Sequence, residues 1–129
     1  MKTSGLIGPA LDFAVAKCEG YTAAIKPTEV VYTHSNGDWH HNGNWCPSGK
    51  WVQGGPIIER EGIALRKCEW AGKLFWDAAK NVGDSAYYAD QEFGDAVWFG
   101  TGDTPLIAAM RCYVASKLGD EVEVPEELL

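Results

Sequence analysis

Apolar residues along this chain change their spacing from segment to segment, and each change marks an element. Over residues 9–19, Leu11, Val15 and Cys18 recur at spacings of four and three with Ala14 beside them, the stripe of a short helix. Pro9 suits its first turn, and Gly20 suits the position just past its end. Residues 21–34 carry β-type residues from Tyr21 to Ile25 and from Val30 to Thr33. Pro27 separates the two runs, so two short strands are expected. From 35 to 56 the periodicity is lost. Ser, Asn, Gly, Asp and Pro dominate, with turn signals at Asn36-Gly37, Asn42-Gly43 and Pro47-Ser48-Gly49, and the segment reads as one long loop.

Residues 57–65 fit a strand or a short helical turn. Residues 69–80 fit a strand through Leu74-Phe75-Trp76 or a short helix. Residues 81–103 read as loop-rich, with Val97-Trp98-Phe99 as a strand. The clearest element is a C-terminal helix over 104–118. Thr104 serves as N-cap, Pro105 fills the first helical position, and Leu106, Met110, Tyr113 and Lys117 recur at spacings of four and three. Gly119 ends it, and residues 121–125 alternate like an edge strand that Pro125 stops. The class is α+β: one small domain over 1–129, with a short antiparallel sheet, two main helices and a long aromatic-rich loop at 35–56.

Length and composition agree. The 129 residues allow one domain or two small ones, and 46% hydrophobic with 22% charged residues is ordinary for a globular chain. No apolar run reaches the roughly 20 residues of a membrane span. Charge changes the picture. Residues 1–80 carry nine Lys/Arg and eight Asp/Glu, whereas residues 81–129 carry only Arg111 and Lys117 against ten acids. Such a surface repels phosphate backbones, so direct nucleic-acid binding is not expected. The acidity reads first as a solubilising face and second as a DNA-mimicking surface. Cys18, Cys46, Cys68 and Cys112 form no C-x-x-C pair, and Asp12 interrupts what would be the apolar part of a signal peptide. Free thiols in a reducing cytosol are the expectation.

The candidate chemistry lies in the loop. Trp39, Trp45 and Trp51 follow one another every six residues in polar sequence. The rings either clamp a long loop to the core or stand exposed as a stacking platform for a flat, nucleotide-like ligand. Gln53 offers a donor and an acceptor. Gly54 and Gly55 would let a backbone approach a ligand closely, or with Pro56 form a plain turn. Glu59 and Arg60 add opposite charges, unless the Arg merely pairs with an acid. The glycine-containing run from Phe99 to Thr104 opens a helix, where an anion would bind Thr104 and free N–H groups, but an ordinary capped helix explains it better. His34, His40, His41 and Cys46 lack the paired spacing of a zinc site. Cys46 with His40 or His41 could be written as nucleophile and base, but no third partner is marked. Asp90, Glu92 and Asp95 lack the pattern of a calcium loop. No cofactor motif is present, and no catalytic residue is assigned.

Three stretches carry a family resemblance: Met1-Lys2-Thr3-Ser4 with Ala10 to Lys17; Cys46-Pro47-Ser48 through Trp51-Val52-Gln53-Gly54-Gly55-Pro56 to Ile63; and Thr104 to Gly119 with the Val-Pro-Glu-Glu-Leu end. In this the chain resembles the NinX-type proteins of tailed bacteriophages and prophages, a family of unknown function. The resemblance implies a phage accessory protein in the host bacterial cytoplasm and implies no reaction. With the residues above, it gives a non-enzymatic binding protein. Its expected partner is a nucleotide-like small molecule, such as a host immune signal that it sequesters. The alternative is a host protein that it inhibits, or less readily a small-hydrolase activity, and self-association into a homo-oligomer is left open.

Overall fold

A computed structural model describes residues 1–26, 29–33, 39–40, 45–81 and 96–128. The first helix, α1 (Gly8–Cys18), follows the expected stripe and buries Leu11, Ala14 and Val15. Strands β1 (Thr22–Lys26) and β2 (Glu29–Thr33) pair antiparallel with Ile25 opposite Val30, and β3 (Trp39–His40) adds to β2. A second helix, α2 (Trp51–Glu61), leads into β4 (Ala64–Trp70), β5 (Lys73–Asn81) and β6 (Ala96–Gly102), a second antiparallel sheet in that order. The last helix, α3 (Pro105–Leu118), begins at Thr104, whose side chain accepts the Ile107 N–H at 3.1 Å as the N-cap.

The fold is α+β, with a third helix and a second sheet beyond the expectation. The loop expected over 35–56 is corrected at both ends of its described part. β3 interrupts it at 39–40, and residues 51–56 form the first half of α2. Gly54, Gly55 and Pro56 hid this helix, because glycine and proline in a helix interior cost about 1 and about 3 kcal/mol. Tertiary packing overrides that propensity. Ile57 is buried against the core, and the carbonyl that Pro56 cannot satisfy belongs to Val52, a residue 80% exposed. Of the two readings for 69–80 the strand holds: Leu74-Phe75-Trp76 lie in β5, and a hairpin turn at Ala71-Gly72 joins it to the end of β4. Ala71 and Gly72 both take positive φ, which suits a two-residue turn between twisted strands. The tail is not an edge strand: Lys2 and Glu121 form an isolated bridge, and a 3-10 turn follows at Glu126–Leu128.

Helix α3 is buried on nearly every side by Leu106, Ala109, Met110, Cys112, Tyr113 and Val114, as befits a helix at the centre of a domain. It packs on β5 and β6 along one flank and on α1 along another, while α1 also packs on β1 and β2. The register of the second sheet sorts its residues into two faces. Leu65, Trp76, Ala78 and Gly100 face α3, leaving Arg66, Cys68, Trp70, Phe75, Asp77 and Phe99 on the opposite face.

Candidate functional site

Of the three tryptophans, Trp45 belongs to the core. It is 9% exposed, stacks edge-on against Tyr21 at 5.5 Å, and donates its indole N–H to the Asp12 carbonyl at 2.8 Å. The chain then turns back on the same residue. The Ser48 N–H donates to the Asp12 carboxylate at 2.9 Å, and the N–H groups of Gly49 and Lys50 both donate to the Cys46 carbonyl. Gln53 spends its side-chain oxygen on the Cys46 N–H at 2.6 Å, which fastens this knot to the first turn of α2. Gly54 is buried where α2 crosses the knot. A Cβ there would lie 2.5 Å from the Pro47 carbonyl oxygen and 2.6 Å from a Leu106 methyl, so close packing demands the glycine. Gly55 lies one residue further on, beneath the Trp51 ring.

Arg60 is bound within the molecule. Its guanidinium takes both oxygens of Glu19 at 2.7 and 3.1 Å, donates to Glu61 at 2.9 Å, and reaches the Tyr113 hydroxyl at 3.2 Å. Tyr113 in turn donates to Glu19 at 2.7 Å, so the ends of α1 and α2 are laced to α3. Glu59 is exposed, and Thr104 is occupied as a helix cap. Trp51 differs: it opens α2 with 54% of its surface exposed. Gln53 and Gly54 thus share the joint between α2 and the knot, Arg60 and Thr104 each hold another, and Trp51 and Glu59 face solvent. The side chains of Trp39 and His40 lie outside the described residues, as do His34, His41, Asp90, Glu92 and Asp95.

Cys112 is a core residue and Cys18 packs against the core, whereas Cys46 and Cys68 are half-buried outside it. None of the four cysteines is joined in a disulfide. Burial pushes the Cys18 and Cys112 thiols up to about 12, and burial together with the Asp12 carboxylate raises that of Cys46. A raised pKa leaves little thiolate, which argues against Cys46 as a nucleophile. Among the described residues no group of three His, Cys, Asp or Glu could hold a metal ion.

Asp12 is the residue that sequence reasoning undervalued. Its one visible signal was an acid inside the apolar run from Ala10 to Ala16. Burial raises its carboxyl above the ordinary 3.8, against the opposing hydrogen bonds from Ser48 and Cys46. A carboxyl raised in the folded state stabilises the fold most when protonated, and this contribution fades as pH climbs through the raised value. Glu61 has the opposite sign. Lys80 at 2.7 Å and Arg60 hold it down at about 2, so its stabilisation is present above its ordinary 4.5 and is lost as pH falls toward 2. Asp12→Asn keeps an oxygen for the Ser48 N–H and removes the ionisation. In urea titrations from acid to neutral pH, the variant should lack the decline that the parent shows above its ordinary carboxyl range. Parallel profiles would refute the assignment.

The family model described as "Bacteriophage P22, NinX" matches residues 2–117, which takes in the knot, both sheets and nearly all of α3. The chain belongs to the NinX family. No curated protein matches it. The features that make up the Asp12 knot and the Arg60 lacing therefore fall within the NinX match. Among its described residues no helix is long and apolar enough to cross a membrane.

Proposed function

We propose that this NinX-family chain is a non-enzymatic binding protein of the host cytoplasm whose target is a host protein, which it inhibits by docking the outer face of α2. One observation carries the reading. Val52, Pro56 and Glu59 follow at spacings of four and three along α2, with Trp51 beside them, and all four are exposed. A helix that turns an indole, a valine and a proline toward water is built like a groove-binding helix, whose anchors sit at such spacings. Trp is also the side chain most enriched at binding hot spots. The net charge of −7 favours a basic partner surface. The nucleotide-sequestering alternative retains the Trp51 ring as a stacking surface, but Gln53, Gly54 and Arg60 are engaged within the fold.

Trp51→Ala and Val52→Asp should leave stability within about 0.5 kcal/mol of the parent, as surface changes do. Both should abolish recovery of one defined host protein from lysate by the tagged chain. A nucleotide that raises the parent's melting temperature, but not that of Trp51→Ala, would replace this reading with the small-molecule one. Retention of the partner by both variants would remove α2 from the interface.

A further inference from the structure

A second feature lies at the outer edge of β6. Arg111 reaches from α3 to this edge strand and donates its Nε–H to the Leu6 carbonyl at 2.8 Å and one terminal N–H to the Thr101 carbonyl at 2.7 Å. A guanidinium carries five N–H groups, so three remain without a protein acceptor among the described residues. No described carboxylate lies within ion-pair distance of it, whereas Lys117, the other cation of the acidic C-terminal half, is 3.8 Å from Glu61. Asp103 acts on Arg111 only at longer range, and partial burial disfavours its charged form. A half-buried cation fixed by two carbonyls, with no counter-ion among the described residues, is prepared for an anion from outside.

The surroundings specify that anion. Arg111 and Thr101 form the shared wall of two neighbouring cavities of about 340 and 330 Å³. Lys2 lines the first and Lys73 the second, so a cation stands in each beside the central guanidinium. A phenylalanine also lines each cavity: Phe99, 52% exposed, the first and Phe75 the second. The register places both rings on the face of the sheet turned away from α3. Asp120 lines the first cavity and Asp103 the second, and the latter lies 3.9 Å from Lys73 with both side chains largely in solvent, a weak contact that a ligand can displace. Each volume matches the lower end of small-molecule sites.

We propose that the cleft around Arg111 binds a small ligand that joins an oxyanion to a flat ring, the oxyanion on the guanidinium and the ring against Phe99. A nucleoside monophosphate and an aromatic carboxylate share this chemistry. The site is remote in sequence from Trp51 and Val52, and either assignment can fail without the other.

The test is NMR titration of the labelled full chain with inorganic phosphate, adenosine monophosphate and benzoate at constant ionic strength. Phosphate should shift the Arg111 Nε–H and the Thr101 and Gly102 amides saturably. The ligand that fits the cleft, the monophosphate or benzoate, should bind more tightly than phosphate and should also shift the Phe99 ring protons, and the tighter of the two identifies the source. Phe99→Ala should weaken that ligand about fivefold or more while leaving phosphate unchanged. Arg111→Lys should weaken phosphate and ring-bearing ligand alike, about tenfold or more. Because Arg111 also holds two carbonyls, Lys2→Ala and Lys73→Ala serve as parallel variants that leave those bonds intact. Shifts that never saturate, shifts indifferent to these substitutions, or ring-bearing ligands no tighter than phosphate would each overturn the proposal.

Discussion

Trp45→Ala is expected to remove about 3–5 kcal/mol of folding stability, the usual cost of emptying a buried aromatic site. The ring is enclosed against Tyr21 and the core, and its N–H is the partner of the Asp12 carbonyl. Truncation leaves both a cavity and a buried carbonyl without that donor. It also releases the knot that positions α2, since the next residue, Cys46, gives its N–H to Gln53. Trp45→Phe should recover the packing but not the hydrogen bond and should fall between the two. The measurement is the denaturant midpoint at unchanged slope, with Trp51→Ala as the comparison. The two tryptophans were equivalent by sequence, six residues apart in the same polar context. A Trp45→Ala chain as stable as the parent would mean that its ring does not clamp the loop.

That contrast shows where the sequence was legible. α1 and α3 were visible because their apolar stripes and caps agree: Leu11, Ala14 and Val15 are buried, and Thr104 caps as expected. The strand at Val97-Trp98-Phe99 and the pair around Pro27 were visible as β-type runs between turn residues. Helix α2 was not, because its centre is Gly54-Gly55-Pro56, and local propensity there opposes the fold. What makes Gly54 right for a helix is a carbonyl from Pro47 and a methyl from Leu106, which lie seven residues away and on another helix. No local rule contains such contacts. The same holds for the candidate site. Each loop residue offers chemistry in the sequence, but hydrogen bonding within the fold engages Gln53 and Arg60. Arg111 looked like one more helical residue, because its two carbonyl partners lie ten and 105 positions away.

Gly100→Ala should be the most damaging single-methyl change in the second sheet. A Cβ at this position would run into the Ala108 carbonyl oxygen, and would lie 2.5 Å from the Cys112 nitrogen and 3.1 Å from its Cα. All of these are backbone atoms in the middle of α3, so no side chain can turn aside to make room. The helix must lift from β6 as a body, and overpacking of this kind costs about 1–3 kcal/mol or more. Gly102→Ala provides the scale. Its Cβ would meet an Ile107 methyl at 2.6 Å, which can rotate, and the Ala108 nitrogen at 2.9 Å, so it should destabilise less. The displacement has a second consequence. Arg111 lies on α3 next to Cys112 and grips the Thr101 carbonyl one residue beyond Gly100, so lifting the helix draws the guanidinium away from the strand edge. Denaturation should therefore rank Gly100→Ala below Gly102→Ala, and the Arg111 Nε–H resonance should move further from its parent position in the first variant. Equal stabilities would mean that α3 and β6 do not approach as closely as these glycines require.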